Sequence, residues 1–100
     1  MKDFPAQYKE LNNWMEKLGT KMPKVMAGFG ALHEASIESG ALDAKTKELI
    51  ALGIAITVRC DGCIAFHVHD AMQAGAGEAE IAETVSVAIL MGGGPSVVYG

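Results

Sequence analysis

The chain of 100 residues has little of what several common function classes require. It has two cysteines, too few for a disulfide framework, so covalent staples are not what holds the fold. No cluster of lysine or arginine occurs, and 8 basic against 12 acidic residues give a formal charge of −4. Nucleic acid and anionic membrane surfaces select basic patches, so neither is expected as a partner. No charged start leads into an apolar run, and no secretory signal is evident. The longest apolar stretch, Leu49 to Val58, is about half of the ~20 residues that span a bilayer. The expected location is the reducing cytoplasm, where a pair of close cysteines is more often catalytic or metal-binding than structural.

What the chain does have is apolar surface. Half of its residues are apolar, a high share for a length that leaves a large surface-to-volume ratio. The excess is expected to lie in subunit interfaces.

The pattern is helical throughout, with no convincing strand alternation. Tyr8, Leu11, Met15 and Leu18 recur at helical spacing over residues 4 to 18. Gly19 and Thr20 then break the pattern. Pro23 suits the first turn of a second helix, with Val25, Met26, Phe29 and Leu32 on its buried face and Gly40 as its stop. Asp43 caps a third helix that is apolar all round to Val58, which marks it as the central element. Asp61, as N-cap, and Gly62 interrupt it, and a fourth helix runs from about Cys63 to Ala74. A fifth runs from Glu78 to Met91 with Ile81, Val85, Ala88 and Ile89 on one side. Pro95 opens a short last helix at Ser96 to Tyr99. The expected fold is all-α, five or six helices in a single domain over residues 1–100, without linker or internal repeat.

The chemistry is concentrated in Cys60-Asp61-Gly62-Cys63 and His67. Positions i and i+4 of a helix are neighbours, so Cys63 and His67 share a face. Two thiols able to close a small disulfide beside an imidazole make a redox pair the first reading. A metal site is a second, and inert buried thiols a third. A metal would need His69 as well as His67, yet residues two apart on a helix point about 200° from each other. Glu48 lies about 18 Å before Cys60 in one continuous helix. If the fourth helix folds back beside the third, His67 recovers about 10 Å of that distance and meets Glu48 directly or through a water. The cysteines then lie beyond, in a relay from carboxylate to imidazole to thiol. A carboxylate in apolar surroundings is suited to exchanging protons near neutrality. His33 and His69 are expected to be structural or on the surface, and Arg59 an interface or surface charge. The Gly92-Gly93-Gly94-Pro95 run lacks the Lys-Ser/Thr and strand–helix context of a phosphate loop.

The ordered set Glu48, Cys60-x-x-Cys63, His67 resembles the signature of the AhpD-like alkylhydroperoxidases, within the carboxymuconolactone decarboxylase superfamily. Ala41 to Ile56 and Ala74 to Ala88 are similar to that family too, and the resemblance covers roughly residues 25 to 95. It implies an all-helical fold assembled as a homotrimer or homohexamer. It implies that Cys63 attacks a hydroperoxide and Cys60 resolves the sulfenic acid to a disulfide. Glu48 and His67 serve the proton relay, and a dithiol protein or small thiol returns the electrons. No cofactor and no metal are implied. In one respect the chain departs from the best-studied members, which carry a histidine directly before the second cysteine, where this chain has Gly62. That departure keeps a disulfide reductase open as the activity. Two further functions stay open beside it. One is a cofactor-free lactone decarboxylase, whose relatives lack the thiols, and the second is a non-enzymatic redox-sensing or metal-binding scaffold.

Overall fold

The computed structural model describes residues 4–100, which form α1 (Phe4–Lys21), α2 (Pro23–Ile37), α3 (Ala44–Thr57), α4 (Asp61–Gln73), α5 (Glu78–Gly92) and α6 (Gly94–Tyr99). No strand occurs among the described residues, and the all-α expectation holds.

Helix α3 is the central element. Asp43 starts it, its side chain accepting a hydrogen bond from the Thr46 amide at 2.8 Å. Leu52, Ala55 and Ile56 recur on one face and are buried, and with Ile64 of α4 and Ala88 of α5 they form the core. Cys63, Val68, Ile81 and Val85 pack around it. Leu52 and Ile56 are each 1% exposed, and burying a side chain of this size contributes about 1.5–3 kcal/mol. Lys45 of α3 also pairs with Glu80 of α5 at 2.8 Å. That hydrogen bond holds the Glu80 carboxyl below its usual range and the Lys45 amine above its own. The apolar-all-round reading of α3 is only half realised. Ile50, Ile54 and Val58 face outward.

The turn from α3 to α4 positions the cysteines. The Arg59 amide donates to the Ile56 carbonyl at 3.2 Å, and the Cys60 amide donates to Ala55 at 3.1 Å. This is a Schellman closure with Arg59 in the left-handed position, at φ 59°. The same closure ends α4, where Gly75 at φ 99° fills the equivalent position. An L-residue in this conformation costs roughly 1–2 kcal/mol, so the turn beside the cysteines is strained where the other is not. Helix α4 then begins earlier than its apolar pattern indicates. Its N-cap is Cys60, not Asp61, and the Cys60 sulfur accepts from the Cys63 amide at 3.2 Å.

Helices α1 and α2 correct two further expectations. Helix α1 runs through Gly19 and Thr20 to Lys21, and α2 stops at Ile37, before Gly40. Neither contains a fully buried residue, and Val25, Phe29 and Leu32 are exposed. The reason is shape. The fold is a slab of 39 × 36 × 21 Å, and its radius of gyration of 14.1 Å exceeds the ~13 Å usual for 100 residues. A slab has too little interior to bury both faces of its outer helices.

Candidate active site

Two short sequence signals place the thiols. The closure at Arg59 ends α3, and the Cys60 cap starts α4, so Cys63 occupies the third position of α4. Its sulfur sits at the positive end of the helix, which favours an anionic thiolate when the thiol is reduced. Cys60 and Cys63 are joined as a disulfide with their Cα atoms 5.2 Å apart. Both are half-buried, at the edge of the core that Cys63 helps to pack.

One turn further along α4, His67 meets α3. Its Nδ1 lies 2.7 Å from Oε2 of Glu48, a direct contact without an intervening water. Glu48 is 3% exposed and projects from the first half of α3, and α4 folds back beside α3 to reach it. With Glu48 ionised, the Nδ1–H donates to the carboxylate and the Nε2 lone pair is left free to accept a proton. Glu48 and His67 are thus in contact, and Cys63 lies one turn before His67 on α4.

Two residues join this group that the linear pattern does not mark. His33 of α2, Glu48 and Asp70 each place a polar atom within 4.8 Å of the others. The His33 and His67 rings lie nearly parallel, at 25°, with centroids 6.3 Å apart. A cavity of about 270 Å³ opens beside them, lined by Tyr8, Met15, Phe29, His33, His67 and Asp70 among others. Asp70 has a local signal, because it lies three residues after His67 on the same helix face. His33 has none, because only packing of α2 against the rest of the fold brings it here.

The other sequence candidates lie elsewhere. His69 stacks on Tyr8 with centroids 4.1 Å apart and contacts Asp70 at 3.2 Å. Arg59 is exposed and serves the turn. While the cysteines are bonded to each other they offer no thiolate to a metal. His33, Glu48 and Asp70 are the donors that could hold a divalent cation. Gly62 has a packing reason. A Cβ there would lie 3.0 Å from Leu11 Cδ1, the end of a flexible side chain of α1 that would have to give by a few tenths of an ångström. Gly92, in the glycine run, is likewise packed, against the Ser96 side chain.

The sequence profile of the carboxymuconolactone decarboxylase family matches residues 23–100. An uncharacterized protein of Cupriavidus necator is 35% identical over 97 residues, covering 97% of this chain and 86% of that one. Among solved structures, a carboxymuconolactone decarboxylase family protein of Legionella pneumophila superposes with a TM-score of 0.92 at 42% identity. The match covers 96% of this chain and 86% of that one. A family protein of Thermotoga maritima, for which a part in an antioxidative response has been suggested, superposes with a TM-score of 0.82 at 30% identity, covering 93% and 80%. With the Glu–CxxC–His set in place on this fold, the chain belongs to the carboxymuconolactone decarboxylase family, in the superfamily that also holds the AhpD-like proteins.

Proposed function

We propose that the protein is a thiol-dependent oxidoreductase that reduces hydroperoxides through a Cys60–Cys63 disulfide cycle. The observation that carries this reading is the 2.7 Å contact of His67 with the buried Glu48, one helical turn from a cysteine that is half of a disulfide. His67 takes the Cys63 proton and Glu48 holds the imidazole in the accepting tautomer. The thiolate attacks the outer peroxide oxygen, the O–O bond breaks, and the alkoxide leaves with the proton as an alcohol. The Cys60 thiol then attacks the Cys63 sulfenic acid and releases water. In balance, two thiols and one hydroperoxide give one disulfide, one alcohol and one water. An external dithiol, protein or small molecule, restores both thiols by exchange and is itself oxidised.

The family includes enzymes, and the suggested antioxidative part of the Thermotoga relative supports the same direction. The resemblance to AhpD-like proteins supports a single domain and assembly as a homotrimer or homohexamer. The outward faces of α2, α3 and α5, which carry Val25, Leu32, Ile54, Leu90 and Met91, supply apolar surface for it. No helix among the described residues is long and apolar enough to cross a membrane. A reducing cytoplasm suits a cycle that must regenerate thiols.

The test is consumption of cumene hydroperoxide by the pre-reduced protein, with free thiols counted before and after. Loss of two thiols per chain with the peroxide, absent in Cys63→Ser, is the expected result. Thiols lost to a small aromatic disulfide but not to peroxide make the protein a disulfide reductase, the reading that Gly62 favours. Thiols inert to both overturn the redox reading.

A further inference from the structure

Charge is unevenly answered around Glu48. Its carboxylate is 3% exposed, and a carboxylate oxygen of Asp70 lies within 4.8 Å of it. Two acids this close, one of them out of water, repel each other unless a positive charge stands between them. No lysine or arginine supplies that charge among the described residues. Lys45 is engaged by Glu80, and the ion-pair contacts of the two acids are to imidazoles.

The third atom of the group is an imidazole nitrogen of His33, within the same 4.8 Å. His33 comes from α2, Glu48 from α3 and Asp70 from α4, so three helices converge on one point. Around a cation bonded at about 2.0–2.2 Å, ligand atoms lie about 3–3.5 Å apart, so the group needs to close by about 1.5 Å at most. None of the three is hydrogen-bonded to another, and no contact among them has to break first. Both acids are already anchored. His67 contacts Oε2 of Glu48 at 2.7 Å, and His69 contacts Oδ1 of Asp70 at 3.2 Å. Outer hydrogen bonds of this kind orient carboxylate ligands in metal centres. The second oxygen of Glu48 accepts no hydrogen bond among the described residues. His33 and Asp70 also line the cavity of about 270 Å³, which opens the group to solution.

We propose that His33, Glu48 and Asp70 form a binding site for a divalent transition cation, with zinc as the best match. Zinc takes imidazole nitrogen and carboxylate oxygen in fourfold coordination, and the cavity leaves the fourth position to water. An imidazole among the ligands disfavours magnesium and calcium, which take oxygen. The thiols are not part of the site, and the proposal does not rest on the oxidoreductase reading.

The test is equilibrium dialysis of zinc against the untagged chain in its disulfide form, in which no thiolate competes. The wild type is expected to bind one zinc per chain. His33→Gln and Asp70→Asn are each expected to weaken binding by about 100-fold or more, since loss of an outer partner alone costs about 10–100-fold. Glu83→Gln, at an exposed position of α5, is expected to change nothing. Cobalt(II), as a second probe, is expected to show visible d–d absorption that both site variants lose. Circular dichroism establishes that each variant is folded, and His33→Asn or Asp70→Ser replaces one that is not. A folded wild type that binds no zinc, equal affinity in wild type and site variants, or zinc displaced by equimolar magnesium overturns the proposal. Zinc bound by a chain whose thiols are inert to peroxide and disulfide leaves the site standing and removes the oxidoreductase reading. Thiols that cycle in a chain that binds no zinc do the opposite.

Discussion

Nineteen residues separate Glu48 from His67 in sequence, and 2.7 Å separates their side chains. The carboxylate lies on α3 and the imidazole on α4, so the contact exists only because the Arg59–Cys60 turn reverses the chain. The same turn delivers Cys60 and Cys63 to one end of the pair. Its geometry and its chemistry are one feature.

Removing either member of the pair should slow chemistry while sparing the fold. Glu48→Gln keeps the shape of the buried side chain but cannot receive a proton. His67→Gln keeps a polar group but has no basic nitrogen. Each is expected to lower hydroperoxide turnover by about 10²–10⁴-fold. Rates are compared at matched helical content by circular dichroism. Full activity in both variants removes the relay.

The two cysteines should fail differently. Cys63→Ser is expected to abolish thiol loss altogether. Cys60→Ser should still react once with peroxide and then stop, because the sulfenic acid on Cys63 has no resolving partner. Trapping that species with dimedone and weighing the adduct distinguishes the two roles. An adduct on Cys60 in the Cys63→Ser protein instead would reverse them.

Arg59 occupies a position that glycine fills at the end of α4. Arg59→Gly should relieve left-handed strain and gain up to about 1 kcal/mol, or roughly 4–8 °C in Tm. Arg59→Val, with a branched β-carbon, should lose a similar amount. Thermal melts of the two variants decide it, and equal melting temperatures would mean that the turn stores no strain.

Gly62 and Leu11 should be energetically coupled. Gly62→His places a side chain where Leu11 already sits, an overpacking worth about 1–3 kcal/mol. Leu11→Ala opens that space, so the double variant should be more stable than the sum of the single changes requires. Additive effects in urea unfolding would show that α1 does not close over Gly62.

Acid should weaken the start of α3 and its link to α5. The side-chain hydrogen bond with Thr46 holds the Asp43 carboxyl below its usual range, and that with Lys45 does the same for Glu80. A carboxyl depressed in the folded state adds stability that is complete above its unfolded pKa and disappears as pH falls through the folded one. The contribution should therefore fade from roughly pH 5 to pH 2. Asp43→Asn and Glu80→Gln should flatten the pH dependence of urea midpoints across that window. Unchanged slopes would count against both contacts.

The residues by themselves determined the helices and the candidate reactive group. Helical spacing depends only on neighbours three and four positions away, so α3, α5 and the pairing of Cys63 with His67 are legible in the linear pattern. The distance from Glu48 to His67 follows from helix rise once α4 is allowed to fold back. Boundaries are less legible. Cys60 rather than Asp61 caps α4, because a sulfur can take the place of a carboxylate oxygen in accepting the Cys63 amide. Periodicity overstates burial on α1 and α2, since it shows which residues share a face but not what lies opposite it. The sequence leaves His33 among surface or structural residues for the same reason. Its position against Glu48 is set by how α2 packs against the rest of the slab, a long-range choice with no local signature. Tertiary structure alone decided that His67 meets Glu48 at 2.7 Å and that His33 comes within 4.8 Å of the same carboxylate.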